Sequence, residues 1–287
     1  DIESDYGWKS LYQLIDTLNN FTNSISSVLN IDRTLWMHAF NYSIINYDSY
    51  IGYSQNYYLY KDISGRYNPI LWDLNMSFGS FRLTDASSYF TGFSPLQAQT
   101  LDPLTHYNDV SVFPRPLLRN LFNSDRYQKM YIAHIRTIIE ENFINQDYFN
   151  RGSYLQALID QSVSNDSNKF YSYNDFQTNL TNSVADLLDY PGITELMDAR
   201  STYLSNYYGY SGAPSIDSVS YFPSNVSMGD DLWITAKVQN GTDVLLYYRS
   251  NSSEIFKEMD MLDNGLYNDG IAGDSIYGAM ISNIGNR

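Results

Sequence analysis

The chain has 287 residues, of which 43% are hydrophobic and 17% charged, a composition that predicts a packed globular protein with one large domain or two ordinary ones. Its formal net charge of −15 argues against nucleic acid as a partner, because an acidic surface repels phosphate backbones. There is no cysteine, which excludes disulfides, thiolate metal sites and cysteine nucleophiles.

The first third of the sequence combines two helices with a hairpin. Apolar residues recur at helical spacing over residues 8–18 and 32–45. Residues 56–60 are aromatic and strand-like, Asp62-Ile63-Ser64-Gly65 is typical of a turn, and residues 67–72 predict the return strand. Residues 81–116 contain prolines and no clear periodicity, which predicts a loop.

Helical patterns resume after this loop. Ser124 is a candidate N-cap for a helix that extends to about residue 142, and two further helices are predicted over residues 147–163 and 173–188. Pro191 stands where the first residue of a helix would, ahead of a last helical pattern that ends near residue 207. Residues 1–210 are therefore predicted to form a mainly helical domain with an embedded β-hairpin.

The composition changes at residues 209–214, which are rich in Gly, Ser, Ala and Pro and predict a linker. Short strands typical of an immunoglobulin- or fibronectin-like β-sandwich are expected over residues 214–287. No membrane-spanning apolar run is found. The expected fold class is α+β, a mainly helical domain followed by a small all-β domain. The predicted strands cover residues 218–222, 232–238, 244–248, 256–261 and 276–281.

Three polar residues mark the helix and hairpin of the first third. Asp48 follows the second helix, Asn56 begins the hairpin and Asp73 closes it. Because a hairpin returns its two ends to the same place, we expect Asn56 and Asp73 to be neighbours, with Asp48 close by. Carboxylate and carboxamide oxygens are hard ligands suited to Mg²⁺. The alternative interpretation is capping and turn chemistry, for which Asp and Asn are the usual residues.

The order of these residues parallels protein kinases, in which a catalytic-loop Asp precedes a metal-binding Asn and then the metal-binding Asp of the DFG element. Phosphoryl transfer needs such parts, because the metals neutralise phosphate charge while one carboxylate orients the attacking hydroxyl. The spacing from Asp48 to Asn56 and Asp73 is wider than in that motif, so a standard kinase signature is not matched.

Residues 46–79 resemble the CotH family of atypical protein kinases, named after a bacterial spore-coat protein. The resemblance rests on Asn46-Tyr47-Asp48, Asn56-Tyr57-Tyr58-Leu59-Tyr60 and Trp72-Asp73-Leu74-Asn75-Met76-Ser77-Phe78-Gly79, with further similarity at Pro116-Leu117-Leu118, at Tyr127-Gln128-Lys129-Met130-Tyr131 and around Arg200.

This resemblance implies a kinase-like fold, ATP and Mg²⁺ as cofactors, and phosphoryl transfer to Ser or Thr of exported proteins. Asp48 would then be the catalytic or metal-organising carboxylate, with Asn56 and Asp73 as Mg²⁺ ligands. Asn75 stands where many family members have a second Asp, and an amide oxygen there can still coordinate a metal.

Kinases hold the ATP phosphates with a Lys and a glycine-rich or equivalent loop in an N-terminal lobe. No such element precedes Asp48, so residues 1–210 are expected to be a kinase-like C-lobe that does not phosphorylate a substrate by itself. The competing hypothesis is a non-catalytic, pseudokinase-like scaffold whose tyrosine-rich surface binds polysaccharide or a partner protein. Both hypotheses place the protein outside the cell or at the cell surface, as an exported bacterial protein.

The histidines do not indicate a metal centre. His38, His106 and His134 are far apart in the sequence and lack the spacing of zinc ligands. We therefore expect structural roles for them.

A second acidic cluster lies near the C-terminus. Asp263, Asp269 and Asp274 are set among Asn and Gly residues, and turns of this composition can wrap Ca²⁺ with carboxylates and carbonyls. A tight turn system held by internal side-chain hydrogen bonds is the alternative.

Overall fold

The computed structural model describes residues 6–81, 93–108, 115–185 and 189–285. Internal contacts divide the chain into two units, Asp1–Ser211 and Gly212–Arg287. Helices account for 41% of the residues and strands for 18%, which confirms the mixed helix-and-strand class expected from the sequence.

The first unit is built from helices and two small hairpins. Its described helices are α1 (Gly7–Asn20), α2 (Ile31–Ser43), α3 (Pro95–Gln99), α4 (Thr105–Asn108), α5 (Pro116–Arg119), α6 (Asp125–Ile139), α7 (Asp147–Asn165), α8 (Tyr173–Thr178) and α9 (Ile193–Ser205). Short stretches of other helix types cover Thr22–Ser27, Leu121–Asn123 and Glu140–Ile144. The strands β1 (Tyr57–Lys61) and β2 (Tyr67–Leu71) form one antiparallel pair, and β3 (Val184–Ala185) and β4 (Asp189–Tyr190) form the other.

α2 is the central helix of the first unit. Asn30 caps it, because its side-chain oxygen accepts the backbone N–H of Arg33 at 3.2 Å. Most residues of α2 are buried, including the polar His38 and Asn41, and the helix packs against α6. A helix buried on nearly every side is a core helix rather than a surface one, so the position of its C-terminal end is fixed by the surrounding structure.

The hairpin β1–β2 has one packed face and one open face. Tyr57 pairs with Leu71, and these two residues together with Leu59 pack against the core. Asp62 closes the turn by accepting the backbone N–H of Ser64 at 2.9 Å. The hairpin is therefore anchored along its inner face, which holds its two ends in place.

The helix predicted over residues 173–188 is wrong in its second half. Ser172 and Asp175 form a capping box at the start of α8, but the helix ends at Thr178. The amide side chain of Asn179 instead donates to the carbonyl of Pro191 at 3.1 Å. Asn competes for backbone groups in this way, so the chain leaves the helix and forms β3.

The loop predicted over residues 81–116 contains short helices. Ser94 and Gln97 form a capping box that starts α3, and α4 begins at Thr105. Residues 82–92 and 109–114 of the predicted loop lie outside the described residues. Single-turn helices of this length carry too few residues for a recognisable periodicity.

α7 is the longest helix among the described residues, with 19 residues, and it buries none of them. Its charged residues include Asp147, Arg151 and Asp160. In the part of the chain that the structure describes, no helix is both long and apolar enough to cross a lipid bilayer.

The second unit is all-β. β5 (Ser215–Phe222), β6 (Leu232–Gln239) and β9 (Ile276–Ile281) form a sheet in the order β5-β6-β9, and β7 (Val244–Tyr248) pairs with β8 (Lys257–Met261). The small core is contributed by β6, β8 and β9. Each predicted strand has a counterpart here, while the immunoglobulin-like identity of the unit stays a prediction. The buried core residues are Ala236, Val238, Met261 and Ala279.

Candidate functional site

The chain reverses sharply where it leaves α2. The backbone N–H of Asn46 donates to the Asn41 carbonyl at 2.8 Å, and the Asn46 side-chain Nδ2 donates to Asn41 Oδ1 at 3.0 Å. Between them Ile45 adopts φ 53°, a left-handed conformation that is unusual for a β-branched residue. This reversal directs the chain to Asp48, which is only 8% exposed.

Two amide side chains hold the carboxylate of Asp48. Asn56 Nδ2 donates to Asp48 Oδ2 at 3.0 Å and to the Asp48 backbone carbonyl at 2.8 Å. Gln55 Nε2 donates to Oδ1. Because both carboxylate oxygens accept a bond, the group cannot rotate without losing one. Gln55 was not among the residues that the sequence pattern singled out, since a lone Gln in a loop carries no signal.

Asn56 and Asp73 lie at the two ends of the hairpin. Since Tyr57 pairs with Leu71, Asn56 and Trp72 are the next positions on the two strands, and Asp73 follows directly. Asn56 has φ 55° and Asp73 has φ 51°, a conformation that Asn and Asp adopt more readily than other side chains except glycine. The hairpin thus brings Asn56 to Asp48 and ends at Asp73.

Asp73 and Asn75 have exposed side chains. Within the described ranges, neither side chain is engaged in a hydrogen bond or an ion pair. They differ in this from Asp48, whose two carboxylate oxygens each accept a hydrogen bond.

The segment after Asp73 is tied back to the end of α2. The N–H of Phe78 donates to the Ile44 carbonyl at 2.9 Å, and the N–H of Gly79 donates to the Ile45 carbonyl at 3.1 Å. Phe78 adopts φ 57° and Gly79 φ 71°. The helix end, the hairpin and residues 73–79 therefore form one closed frame around the site.

Gly52 allows the loop between Asp48 and Asn56 to close. A Cβ at this position would lie 2.0 Å from the Tyr47 carbonyl oxygen, so no other residue fits without moving the backbone. The buried Arg115 donates from Nη2 to the Gly52 carbonyl. The loop is thereby fixed from inside the protein.

Arg200 on α9 holds the end of α2 in place through hydrogen bonds. Its guanidinium is fully buried and donates to the carbonyls of Tyr42 at 2.9 Å, Leu101 at 2.6 Å and Gln99 at 3.4 Å. Burial lowers the pKa of Arg200 to about 10, so the group remains charged at neutral pH. Arg200 joins the last turn of α2 to the segment after α3 and so fixes the helix end that precedes Asp48.

The oxygen atoms at the hairpin that could hold a magnesium ion belong to one carboxylate, that of Asp73, and to carboxamide side chains. In the residues with described positions, no group of three or more His, Cys, Asp or Glu side chains is placed to hold a metal. Asp73 offers an exposed carboxylate that bonds to no other described residue, and Asn56 uses its Nδ2 for Asp48, which leaves its Oδ1 for a cation. Mg²⁺ is often bound by one or two carboxylates with water and substrate phosphates as its other ligands. This donor set fits that pattern.

The histidines do not contribute to the oxygen donors of the candidate site. His38 Nε2 donates to the Leu117 carbonyl at 3.0 Å, and burial lowers the pKa of His38 to about 4, so it is neutral at pH 7. His134 Nε2 lies 3.0 Å from Asp32 Oδ1. His106 pairs through Nδ1 with a buried tyrosine hydroxyl.

In the second unit, Asp263, Asp269 and Asp274 each accept backbone N–H groups on both carboxylate oxygens. Burial opposes the charge of Asp269, but its three N–H donors outweigh burial and hold the pKa of that carboxyl below its usual range. These bonds favour the tight-turn interpretation, and the Ca²⁺ site stays a prediction. The donors include Asn264, Gly265, Tyr267, Ile271, Gly273, Ser275 and Ile276.

Comparison with models of protein families gives a match to the family described as CotH kinase protein over residues 1–204. The matched range contains the end of α2, the hairpin and Arg200. No curated protein and no solved structure matches the chain.

Proposed function

Because the chain belongs to the CotH kinase protein family, we propose that its first unit is the catalytic lobe of an atypical protein kinase. The proposed reaction transfers the γ-phosphoryl group of ATP, in the presence of Mg²⁺, to Ser or Thr hydroxyls of exported or cell-surface proteins. The observation that supports this best is the pair of bonds from Asn56 Nδ2 to Asp48, because it fixes a carboxylate next to a proposed metal ligand.

Asp48 is proposed as the residue that orients the acceptor hydroxyl. Its carboxylate is held by Gln55 and Asn56 and is mostly shielded from water. A shielded carboxylate in one fixed direction can accept a hydroxyl proton or align the attacking oxygen. Orientation of this kind is the main contribution that a protein makes to phosphoryl transfer.

Asp73 and the Oδ1 of Asn56 are proposed to hold Mg²⁺, with Asn75 as a further oxygen ligand. When bound, the metal neutralises phosphate charge. Asp73 contributes the only full negative charge of these three ligands, so affinity for Mg²⁺ should depend on it most. Asn75 contributes an oxygen without charge, so a second metal position would be weaker than one built with Asp.

Binding of MgADP tests this proposal more directly than turnover, because no lysine with a glycine-rich loop precedes Asp48 in this sequence. We expect the full chain to bind MgADP in isothermal titration calorimetry, and EDTA to abolish the binding. Asp73→Ala should weaken binding about tenfold or more, whereas Asp16→Ala, an exposed carboxylate of α1, should have no effect.

Two outcomes would contradict the proposal. The metal role of the hairpin is wrong if MgADP binds equally well to wild type and Asp73→Ala. If neither Mg²⁺ nor nucleotide binds wild type, the non-catalytic hypothesis is preferred. Transfer of radiolabelled phosphate by this chain alone would overturn only the expectation that it lacks turnover.

The competing function is a surface scaffold that binds polysaccharide or a partner protein without catalysis. It is favoured by the outer face of the hairpin, where Tyr58, Tyr60 and Trp72 are each more than half exposed. Exposed aromatic rings are suited to stacking on sugars. A glycan-binding screen with wild type and Trp72→Ala tests this function. The scaffold hypothesis requires a glycan that wild type binds and Trp72→Ala does not.

We propose that the second unit is an immunoglobulin-like module that presents or anchors the first unit at the cell surface. Its five described strands support this assignment. A solved structure of residues 212–287 with another strand arrangement would contradict it.

A further inference from the structure

A cleft of about 370 Å³ opens beside Asn75 in the first unit. Its size falls in the range of roughly 300–1,000 Å³ that is usual for ligand pockets. It is bordered by the segment after Asp73, the end of α7, the following loop and α8. The lining residues that carry the argument are Asn75, Met76, Val163, Lys169, Phe170 and Phe176.

The cleft is continuous with the proposed metal site. Asn75 and Met76 follow Asp73 by two and three residues, and Ser80 also lines the cleft. The same segment is tied to the end of α2 through Phe78 and Gly79. A molecule in the cleft would therefore lie next to the segment that carries Asp73, at a position that the frame fixes.

The cleft is lined by one cationic side chain, Lys169, and one anionic side chain, Asp175. Both form hydrogen bonds with residues close to them in the sequence. Lys169 Nζ donates to the Asp166 carbonyl at 2.6 Å. Asp175 accepts the N–H of Ser172 at 2.9 Å and its hydroxyl at 2.6 Å. With one cation and one anion, the cleft offers little attraction to a triphosphate, which is usually held by several cationic or N–H donors. Its chemistry suits an uncharged group.

The mouth of the cleft carries a strongly exposed apolar ring. Phe170 is 98% exposed, although a phenylalanine side chain gains from burial. The inner wall adds further apolar side chains, among them Met76, Val163 and Phe176. An apolar or aromatic side chain entering the cleft would cover these surfaces together.

We propose that this cleft binds an apolar or aromatic side chain of the acceptor polypeptide and so presents a nearby Ser or Thr hydroxyl to the site at Asp48 and Asp73. This inference rests on the proposed kinase function. It names the acceptor's recognition element, an uncharged bulky side chain at a fixed distance from the modified hydroxyl.

Peptide binding by the full chain tests the proposal without turnover. The probes are fluorescently labelled peptides with one serine in a Gly/Asn background and one phenylalanine moved stepwise along the sequence. We expect one spacing to bind about tenfold more tightly than the others in fluorescence anisotropy. Replacing that phenylalanine with leucine should retain most of the affinity, and replacing it with glutamate should abolish it.

Two variants locate the binding in the cleft. Phe170→Ala changes a side chain so exposed that folding should not suffer, and it should weaken binding about fivefold or more. Val163→Trp should fill the cleft and weaken binding further, with a thermal melt to verify its fold. Tyr208→Ala, at a ring that is 94% exposed elsewhere in the first unit, is the matched control and should leave binding unchanged.

Three results would overturn the proposal: no peptide binds, binding does not depend on the position of the phenylalanine, or MgATP displaces the peptide. The last result would make the cleft part of a nucleotide site. Asp73→Ala separates this inference from the proposed function, because it should weaken MgADP binding and leave peptide binding intact.

Discussion

Replacing Arg200 with methionine tests how the first unit holds the end of its central helix. The guanidinium is fully buried and joins the carbonyl of Tyr42 on α2 to the carbonyl of Leu101 after α3. Methionine has a long flexible side chain but offers no donor. The substitution therefore removes these two bonds, the longer bond to the Gln99 carbonyl and the buried charge in one step.

Opposing effects determine how far Arg200→Met changes the free energy of unfolding. The carbonyls of Tyr42 and Leu101 would lose their charged donor, at about 2 kcal/mol each, and the shorter side chain would leave a small cavity worth about 1 kcal/mol. Against this, burial lowers the pKa of Arg200 from 12.5 to about 10, so keeping the charge inside costs about 3 kcal/mol. We expect Arg200→Met to reduce the free energy of unfolding by about 2 kcal/mol.

Lysine should be no better than methionine at this position. Arg200→Lys keeps the cost of a buried charge, but its single ammonium lacks the guanidinium fork that reaches two segments at once. We expect a loss of about 3 kcal/mol, because one charged hydrogen bond or both would be broken. The chemically conservative change is therefore expected to be at least as damaging as the apolar one.

Urea unfolding followed by tryptophan fluorescence measures these losses. A Trp233→Phe background removes the tryptophan of the second unit, so that Trp8, Trp36 and Trp72 report on the first unit alone. Arg151→Met, at an exposed arginine of α7, is the control and should stay within about 0.5 kcal/mol of wild type. A lysine variant as stable as wild type would refute the argument from the fork geometry.

His38→Gln retains a donor for the Leu117 carbonyl but removes a group whose pKa burial lowers from 6.5 to about 4. Because the unfolded chain binds this proton at a higher pH than the folded protein does, wild type should lose up to about 3 kcal/mol as the pH falls from 6.5 to 4. Over the same pH range, the free energy of unfolding of the variant should fall by about 3 kcal/mol less than that of wild type in urea titrations. An equal dependence on pH in both proteins would contradict the assignment of the effect to His38. Asp269→Asn should destabilise the second unit by about 2 kcal/mol, while Ca²⁺ and chelator should leave the Tm of wild type unchanged. A Tm that rises with Ca²⁺ would restore the metal interpretation. Ser54→Gly should stabilise the protein by about 0.5–1 kcal/mol, because glycine adopts its φ of 59° freely. Asn56→Gly gains less relief, because asparagine already adopts a positive φ more readily than serine, and it loses the bonds to Asp48. A net stabilisation of this variant would show that those bonds contribute little.

The hairpin and the helices flanking it could be read from the sequence because their signals are local. Alternating aromatic residues and a turn at Asp62 predict β1 and β2, and apolar periodicity predicts α2 and α6. The expectation that Asn56 and Asp73 lie near each other follows from hairpin geometry alone.

Contacts between distant segments could not be read in this way. The bonds from Arg200 to Tyr42 and Leu101 span about a hundred residues or more, and an Arg on an apolar helix face gives no indication of its partners. The early end of α8 has the same origin, because Asn179 finds its acceptor at Pro191. Side-chain competition of this kind overrides helix propensity.

The backbone around the site carries strain at Ile45 and Phe78, whose side chains disfavour a positive φ. The non-glycine residues with positive φ between the end of α2 and Gly79 are Ile45, Ser54, Asn56, Asp73 and Phe78, and such conformations cost on the order of 1–3 kcal/mol each for unfavourable side chains. They persist because the surroundings over-determine them, through Arg200 and the bonds of Phe78 and Gly79. Strained backbone clusters at functional sites, and here Ile45 lies three residues before Asp48 and Phe78 lies five residues after Asp73. Glycine at Ile45 and Phe78 would remove this strain, so the strained backbone beside Asp48 and Asp73 supports the hypothesis that this frame positions functional groups.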